Sequence, residues 1–257
     1  MSARIIAFCN QKGGVAKTTS TINTGAALAK AGKRVLLVDC DPQGSLTVSL
    51  GIDAEERPVT TYELLLKDAD AADAIIYNVG SGYDVIPADL RLSAADLELV
   101  SQPARETLLR EALRPFFTEY DYILVDCPPS LSVITVNCLT VANEIIIPQQ
   151  AHFLAVSGLS LLLDTVEVVR KRINKTLSIR GVILTMFDGR TNHAKEVREQ
   201  VREFFGDRVF TTAIRNNIAL ADAPARGMDV YQYAPTSNGA ADYTALAGEI
   251  MNQEGKQ

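Results

Sequence analysis

Asn10-Gln11-Lys12-Gly13-Gly14-Val15-Ala16-Lys17-Thr18-Thr19 lies between the apolar run Ile5-Ile6-Ala7-Phe8-Cys9 and an alanine-rich helical pattern that begins at Lys17. A strand that opens into glycines and then a helix reads as a phosphate-binding loop. Glycines without a Cβ let successive backbone N–H groups converge on phosphate oxygens, and the helix aims its positive dipole end at the same point. Gly13, Gly14, Val15, Ala16, Lys17, Thr18 and Thr19 form the expected cradle, with Lys17 as the phosphate lysine and Thr18 as a magnesium ligand. ATP and Mg²⁺ are the ligands this arrangement predicts.

The loop departs from the strict Walker A pattern, because the two obligatory glycine positions hold Gln11 and Ala16. It fits instead the deviant form KGG-x-x-K-T, in which a first lysine, Lys12, stands on the other side of the glycine pair from Lys17. Ala16 replaces the commoner glycine before the phosphate lysine, and its Cβ is costly there if that residue needs a positive φ.

Apolar runs alternate with helical patterns along the chain: Ile5 to Cys9, Val35 to Asp39, Asp84 to Pro87, Tyr122 to Asp126, Glu144 to Pro148 and Gly181 to Phe187. The alternation predicts an α/β fold, a mostly parallel twisted sheet with helices on both faces. Runs such as Val35-Leu36-Leu37-Val38 are apolar on consecutive residues, as strands buried on both sides require. A first helix is expected from Lys17 to about Ala31, closing at Gly32, and a long one from about Ser157 to Asn174. The latter ends in Arg170, Lys171, Arg172 and Lys175, more cations than dipole complementation requires. At 257 residues and 47% hydrophobic content, residues 1–257 are expected to form one domain. The segment Asp53 to Pro58 and the last residues, Asn252 to Gln257, read as the least ordered.

The net charge of −6 argues against a surface coated in positive charge and leaves room for a local basic face. No apolar run approaches the roughly 18 residues that cross a bilayer, so a cytoplasmic protein is expected. Four cysteines, Cys9, Cys40, Cys127 and Cys138, have no CxxC spacing, and His152 and His193 are the only histidines. The cysteines are expected to be reduced thiols packed as small hydrophobes.

In open α/β sheets a ligand sits beyond the carboxyl ends of the strands. Two predicted strands end there in acids: Asp39-Cys40-Asp41-Pro42-Gln43-Gly44, and Asp126-Cys127-Pro128-Pro129-Ser130. Asp126, closing an apolar strand, suits a Walker B role beside Thr18 on the magnesium ion. Asp41, on the following loop, suits positioning or deprotonating an attacking water.

These blocks, together with Thr185-Met186-Phe187-Asp188-Gly189-Arg190-Thr191-Asn192 and Ala223-Pro224, resemble the ParA/Soj family of partition ATPases, within the deviant Walker A group of P-loop NTPases. The resemblance implies that Lys12 reaches across an ATP sandwich dimer to the partner's phosphates, so that Lys12, Lys17 and Asp41 are the catalytic residues. It also implies a nucleotide contact at Pro224 and a metal held by Thr18 and Asp126. The ATP-state homodimer is expected to bind double-stranded DNA nonspecifically, and a ParB-like or other cargo adaptor is expected to stimulate hydrolysis. A nucleoid-associated location without membrane binding follows from the same resemblance.

Arg190 matches a DNA-contacting arginine of the family, and Lys195, Arg198, Arg202, Arg215 and Arg226 add cations nearby. Glu196, Glu199 and Glu203 are interleaved, so the same helix also reads as a solvated face with i,i+4 pairs. The family's arginine is replaced by Ala219, and its acidic pair after the fifth strand by His152 and Ser157. Two alternatives are a MinD-like membrane-associated ATPase and an iron–sulfur carrier of the nitrogenase iron-protein type. The first needs a basic C-terminal amphipathic helix. Residues 240–252 offer Tyr243, Leu246, Ile250 and Met251 without a cation, and the tail adds only Lys256. The second needs exposed cysteines that bridge subunits.

Overall fold

The computed structural model describes residues 2–150 and 156–252. His152, Lys256 and the side chain of Ser157 lie outside the described residues, as does the end of the tail from 253 to 257. Seven strands, β1 (Arg4–Phe8), β2 (Val35–Asp39), β3 (Ile76–Val79), β4 (Tyr83–Ile86), β5 (Tyr122–Asp126), β6 (Glu144–Gln150) and β7 (Ser178–Thr185), form one sheet. Their order is β3-β4-β2-β5-β1-β6-β7. All neighbours pair in parallel except β3, which runs antiparallel to β4.

Each central strand is buried on both sides because its alternate residues feed two different layers. Ile5 and Ala7, Leu36 and Val38, and Ile123 and Val125 face one layer, covered by the helices Leu92–Leu99, Val133–Val141, Val156–Arg172 and Asn192–Phe205. Ile6 and Phe8, Val35 and Leu37, and Tyr122 and Leu124 face the other, covered by Lys17–Lys30 and Asn238–Asn252. A fully buried side chain of this size contributes roughly 1.5–3 kcal/mol, so the central strands anchor the fold. The helix Lys17–Lys30 sits close on β2 because Gly25 has no Cβ; one built there would lie 2.6 Å from Leu37 Cδ2.

The expected helix from Lys17 ends at Lys30, with Gly32 at φ +81°, and the long helix spans Val156–Arg172. At the latter's end, Arg170 and Lys171 both reach Glu167, at 2.8 and 3.7 Å, which accounts for two of the four cations noted there. Both sheet edges are irregular. The register of β3 shifts between Ile76 and Val79, with Asn78 at φ +56°. Beside β7, isolated bridges Val182–Val209 and Phe187–Arg215 lay other chain segments along the edge. No helix among the described residues is long and apolar enough to cross a membrane.

Candidate functional site

Register brings the chemistry together. Phe8 pairs with Asp126, and Asp126 pairs with Asp39, so β1, β5 and β2 end side by side and release their loops at one point. The loop after β1 holds Lys12 to Ala16, β5 delivers Asp126, and the loop after β2 delivers Asp41.

Within the first loop, Asn10 Oδ1 accepts from the Lys12 amide at 3.0 Å while Asn10 Nδ2 donates to Pro148 O at 2.7 Å. Thr185 Oγ1, at the end of β7, donates to Val15 O at 3.0 Å. Gly13 and Gly14 are exposed, with Gly14 at φ +72°. The Lys17 side chain is mostly buried, and its ammonium lies across the loop to Lys12 O at 3.3 Å. Ala16 adopts φ +64°, ψ +36° at the N-terminus of the helix. The conformation that glycine tolerates is therefore imposed on an alanine, at a cost of roughly 1–2 kcal/mol, against which a glycine loses roughly 0.4–1 kcal/mol in chain entropy. Ala16→Gly is accordingly expected to raise stability by roughly 0.5–1 kcal/mol, read as a melting temperature a few degrees higher. A lower melting temperature would show that the loop carries no such strain.

Asp126 is fully buried. Its Oδ2 accepts from Thr18 Oγ1 at 2.7 Å and its Oδ1 from Thr21 Oγ1 at 3.2 Å. Asp39, equally buried, accepts from Thr47 Oγ1 at 2.7 Å, from the Thr47 amide at 2.9 Å and from the Asp41 amide at 3.1 Å. The sequence reading gave Asp39 no role, yet it anchors the loop that carries Asp41. Asp41 is 8% exposed, and its Oδ1 accepts from the Gln43 amide at 3.0 Å.

Two buried carboxyls at the ends of adjacent strands oppose each other's ionisation. Burial, then the Asp39 charge, pushes Asp126 up to about 8, against the lowering pull of Thr18 and Lys17. Burial pushes Asp39 up to about 6, against the Thr47 and Asp41 hydrogen bonds. The native state thus holds protons that the unfolded chain releases, and this contribution to stability is lost as pH rises through the folded values. In magnesium-free, nucleotide-free buffer the melting temperature should fall from about pH 5 to about pH 8, and Asp126→Asn should flatten that slope. A wild-type curve already flat over this range would contradict the opposed pair.

A cation between these groups would relieve the same repulsion, and a hydroxyl beside a carboxylate is an oxygen-only donor set of the kind magnesium prefers. Among the described residues no cluster of three or more His, Cys, Asp or Glu is placed to hold a metal. All four cysteines are free and buried, as expected for small packed residues.

Beside the phosphate loop lies a slot of about 120 Å³, lined in part by Ala16, Thr19, Met186, Asn216 and Leu220. Met186 carries φ +51° as the chain leaves β7. Two of the quoted blocks contribute to this wall, Ala16 and Thr19 from the phosphate loop and Met186 from the stretch after β7, but neither signalled a slot, since it is assembled from loops far apart in sequence. Pro224 is the second residue of the short turn Ala223–Arg226 and is not among the slot's lining residues.

The proposed DNA cations gather around the loop after β7 but differ in freedom. The Arg190 side chain is 91% exposed and pairs with Asp188 at 2.8 Å. Lys195 is exposed on the helix Asn192–Phe205, whose buried stripe is Ala194, Val197 and Val201. Arg198 donates to Thr211 O at 2.9 Å and packs 5.2 Å from the Phe187 ring centre. Arg215 grips Asp242 through Nε and Nη2, the latter at 2.6 Å. Arg202 pairs with Glu199, one of the interleaved acids.

Residues 3–179 match the family described as AAA domain. The sporulation initiation inhibitor protein Soj of Bacillus subtilis (strain 168) is 47% identical over 247 residues, covering 96% of this chain and 98% of that protein. The chromosome partitioning protein ParA of Caulobacter vibrioides is 43% identical over 253 residues, covering 98% of this chain and 95% of its own. Among solved structures, the cobyrinic acid a,c-diamide synthase of Mycobacterium smegmatis, with bound ATP analog and magnesium, matches with a TM-score of 0.86 at 36% identity. That match covers 98% of this chain and 95% of the other.

Proposed function

This chain belongs to the ParA/Soj family of partition ATPases, and from that membership we propose that it is an ATP-driven switch that positions DNA or another large cargo. ATP with Mg²⁺ binds the loop from Lys12 to Thr19 and closes two copies into a sandwich dimer; the dimer holds DNA nonspecifically; an adaptor protein triggers hydrolysis. The observation that carries this reading is the in-register convergence of three strand ends, which sets the Thr18 hydroxyl on Asp126 and brings the Asp41 loop alongside.

Each residue has a task in it. Backbone amides of Gly13 to Thr18 and the Lys17 ammonium hold the phosphates, and Lys12 serves the partner copy. Thr18 and Asp126 hold the metal, which neutralises charge on the phosphate oxygens. Asp41 orients the attacking water and accepts its proton. The slot beside Ala16 and Met186 receives the base. One domain, residues 1–257, carries all of these tasks. The ATP analog and magnesium bound in the 36% identical structure support the choice of ligands.

Arg190 and Lys195, both exposed, support a DNA surface. A dimer presents each twice, and phosphate contacts release counterions, so binding should weaken steeply with salt. Arg190→Ala is expected to lower ATP-dependent DNA co-sedimentation by roughly tenfold and to make the salt dependence shallower. Binding as tight as wild type would remove Arg190 from the interface. The test of the whole reading is calorimetry with ATP and magnesium followed by light scattering. Uptake with a doubling of mass is expected, and absence of either overturns it. Liposome flotation with ATP, in the absence of DNA binding, would favour a membrane-associated positioning ATPase instead.

A further inference from the structure

Three strands that end at the proposed phosphate site are each followed by a cysteine, and the two-residue period of the strands sends all three thiols to the same side. Cys9 continues the face of Ile5 and Ala7, Cys40 that of Leu36 and Val38, and Cys127 that of Ile123 and Val125. Cys138, on the helix Val133–Val141, meets them in the same buried layer and shares hydrogen bonds with Cys40 and Cys127. Cys9 and Cys127 stand one step beyond the in-register pair Phe8 and Asp126, and their Sγ atoms are 2.7 Å apart. That is inside the roughly 3.5–4.0 Å of an ordinary contact between heavy atoms. Less than about 1 Å separates this approach from a disulfide bond.

We propose that Cys9 and Cys127 form a reversible disulfide under a hydroperoxide oxidant, and that closing it disables the adjoining phosphate site. In the first step one thiolate sulfur attacks a peroxide oxygen; the O–O bond breaks, and a sulfenic acid and one water result. In the second the other thiolate attacks the sulfenic sulfur; the S–S bond forms and the hydroxyl leaves, protonated, as a second water. Two thiols lose two electrons and two protons, and hydrogen peroxide is reduced to two waters.

The consequence for the site follows from the chain neighbours. Cys9 leads directly into Asn10, whose side chain fixes both the Lys12 amide and Pro148 O. Cys127 follows Asp126, which holds Thr18 and Thr21. Drawing the two sulfurs together pulls on the start of the phosphate loop and on the metal-side carboxylate at once. Both thiols are buried, at 1% and 0% exposure, so oxidation requires a local opening, which this proposal assigns to the phosphate loop that follows Cys9. Gly13 and Gly14 are exposed, with nothing within 4 Å of where a Cβ would stand. A triphosphate seated in the loop closes that route; this last step rests on the nucleotide reading, whereas the disulfide itself does not.

The experiment treats full-length nucleotide-free protein with hydrogen peroxide, followed by intact mass measurement and non-reducing peptide mapping. A loss of about 2 Da and a peptide joining Cys9 to Cys127 are expected. The link should be absent in Cys9→Ala and retained in Cys40→Ala, and the wild-type map reads the pairing even if a variant fails to fold. No link, or one that joins Cys138 to Cys40 or Cys127 instead, overturns the pairing. ATP turnover of the oxidised protein should drop at least about tenfold and return with dithiothreitol; unchanged turnover overturns the coupling. Magnesium and ATP should slow oxidation several-fold, and an equal rate in a sample whose calorimetry shows bound nucleotide overturns the route of entry.

Discussion

Lys17→Ala is expected to abolish nucleotide binding, with affinity for ATP falling by roughly 10²–10⁴-fold. Lys17 is mostly buried and its ammonium donates to Lys12 O at 3.3 Å, a long contact that it can exchange for phosphate oxygens. Charge-assisted hydrogen bonds are worth roughly 1.5–3 kcal/mol each, and two of them account for the expected loss. The neighbouring Asp126 also loses a cation that lowers its pKa, so less of the carboxylate is available to a metal. Isothermal calorimetry with ATP and magnesium checks this directly. Affinity within threefold of wild type would show that the phosphates lie elsewhere.

The second large effect separates binding from hydrolysis. Asp41→Ala should reduce ATP turnover by roughly 10²–10⁴-fold, the range of positioned general acid–base groups, while leaving nucleotide affinity nearly unchanged. The variant loses the Asp41 Oδ1 contact to the Gln43 amide, but the loop keeps its course because Asp39 still holds the residue-41 amide and both the amide and hydroxyl of Thr47. Lys12, Lys17, Thr18 and Asp126 are untouched. The variant should therefore accumulate as an ATP-bound dimer that still binds DNA. Light scattering in saturating ATP reads the mass; a monomer would mean that closure depends on Asp41 itself, and normal turnover would transfer the water-positioning role to another residue.

Much of the site was legible because its parts lie at strand ends, and strands buried on both faces announce themselves as unbroken apolar runs. Val35–Asp39 and Tyr122–Asp126 each end on an acid, and the sheet order places those ends together. What the sequence concealed depends on pairings between distant loops. Asp242 neutralises Arg215 from 27 residues away, and Thr211 takes up Arg198 through a backbone carbonyl, so two cations counted toward a DNA surface are largely occupied by the fold. The slot wall joins Met186, from a quoted block, to Asn216, from a distant loop, and that juxtaposition is not written in either stretch alone. Strand β3 escaped notice because Ile76–Val79 is short, half exposed and broken by Asn78. The strand boundaries moved by one to three residues: expected Asp84 to Pro87 and Gly181 to Phe187 are Tyr83–Ile86 and Ser178–Thr185, since apolar residues continue the run past the C-terminal ends while the polar Ser178 and Arg180 hide the start of β7.

The bulged, antiparallel β3 at one margin and the segments laid along β7 at the other blunt both edges of the sheet against strand addition. Molecules crowded side by side on a scaffold cannot knit into ribbons by lending each other backbone. The proposed dimer is instead built end-on, from the tips where the strands stop, and that kind of contact can be made and dissolved within a single chemical cycle.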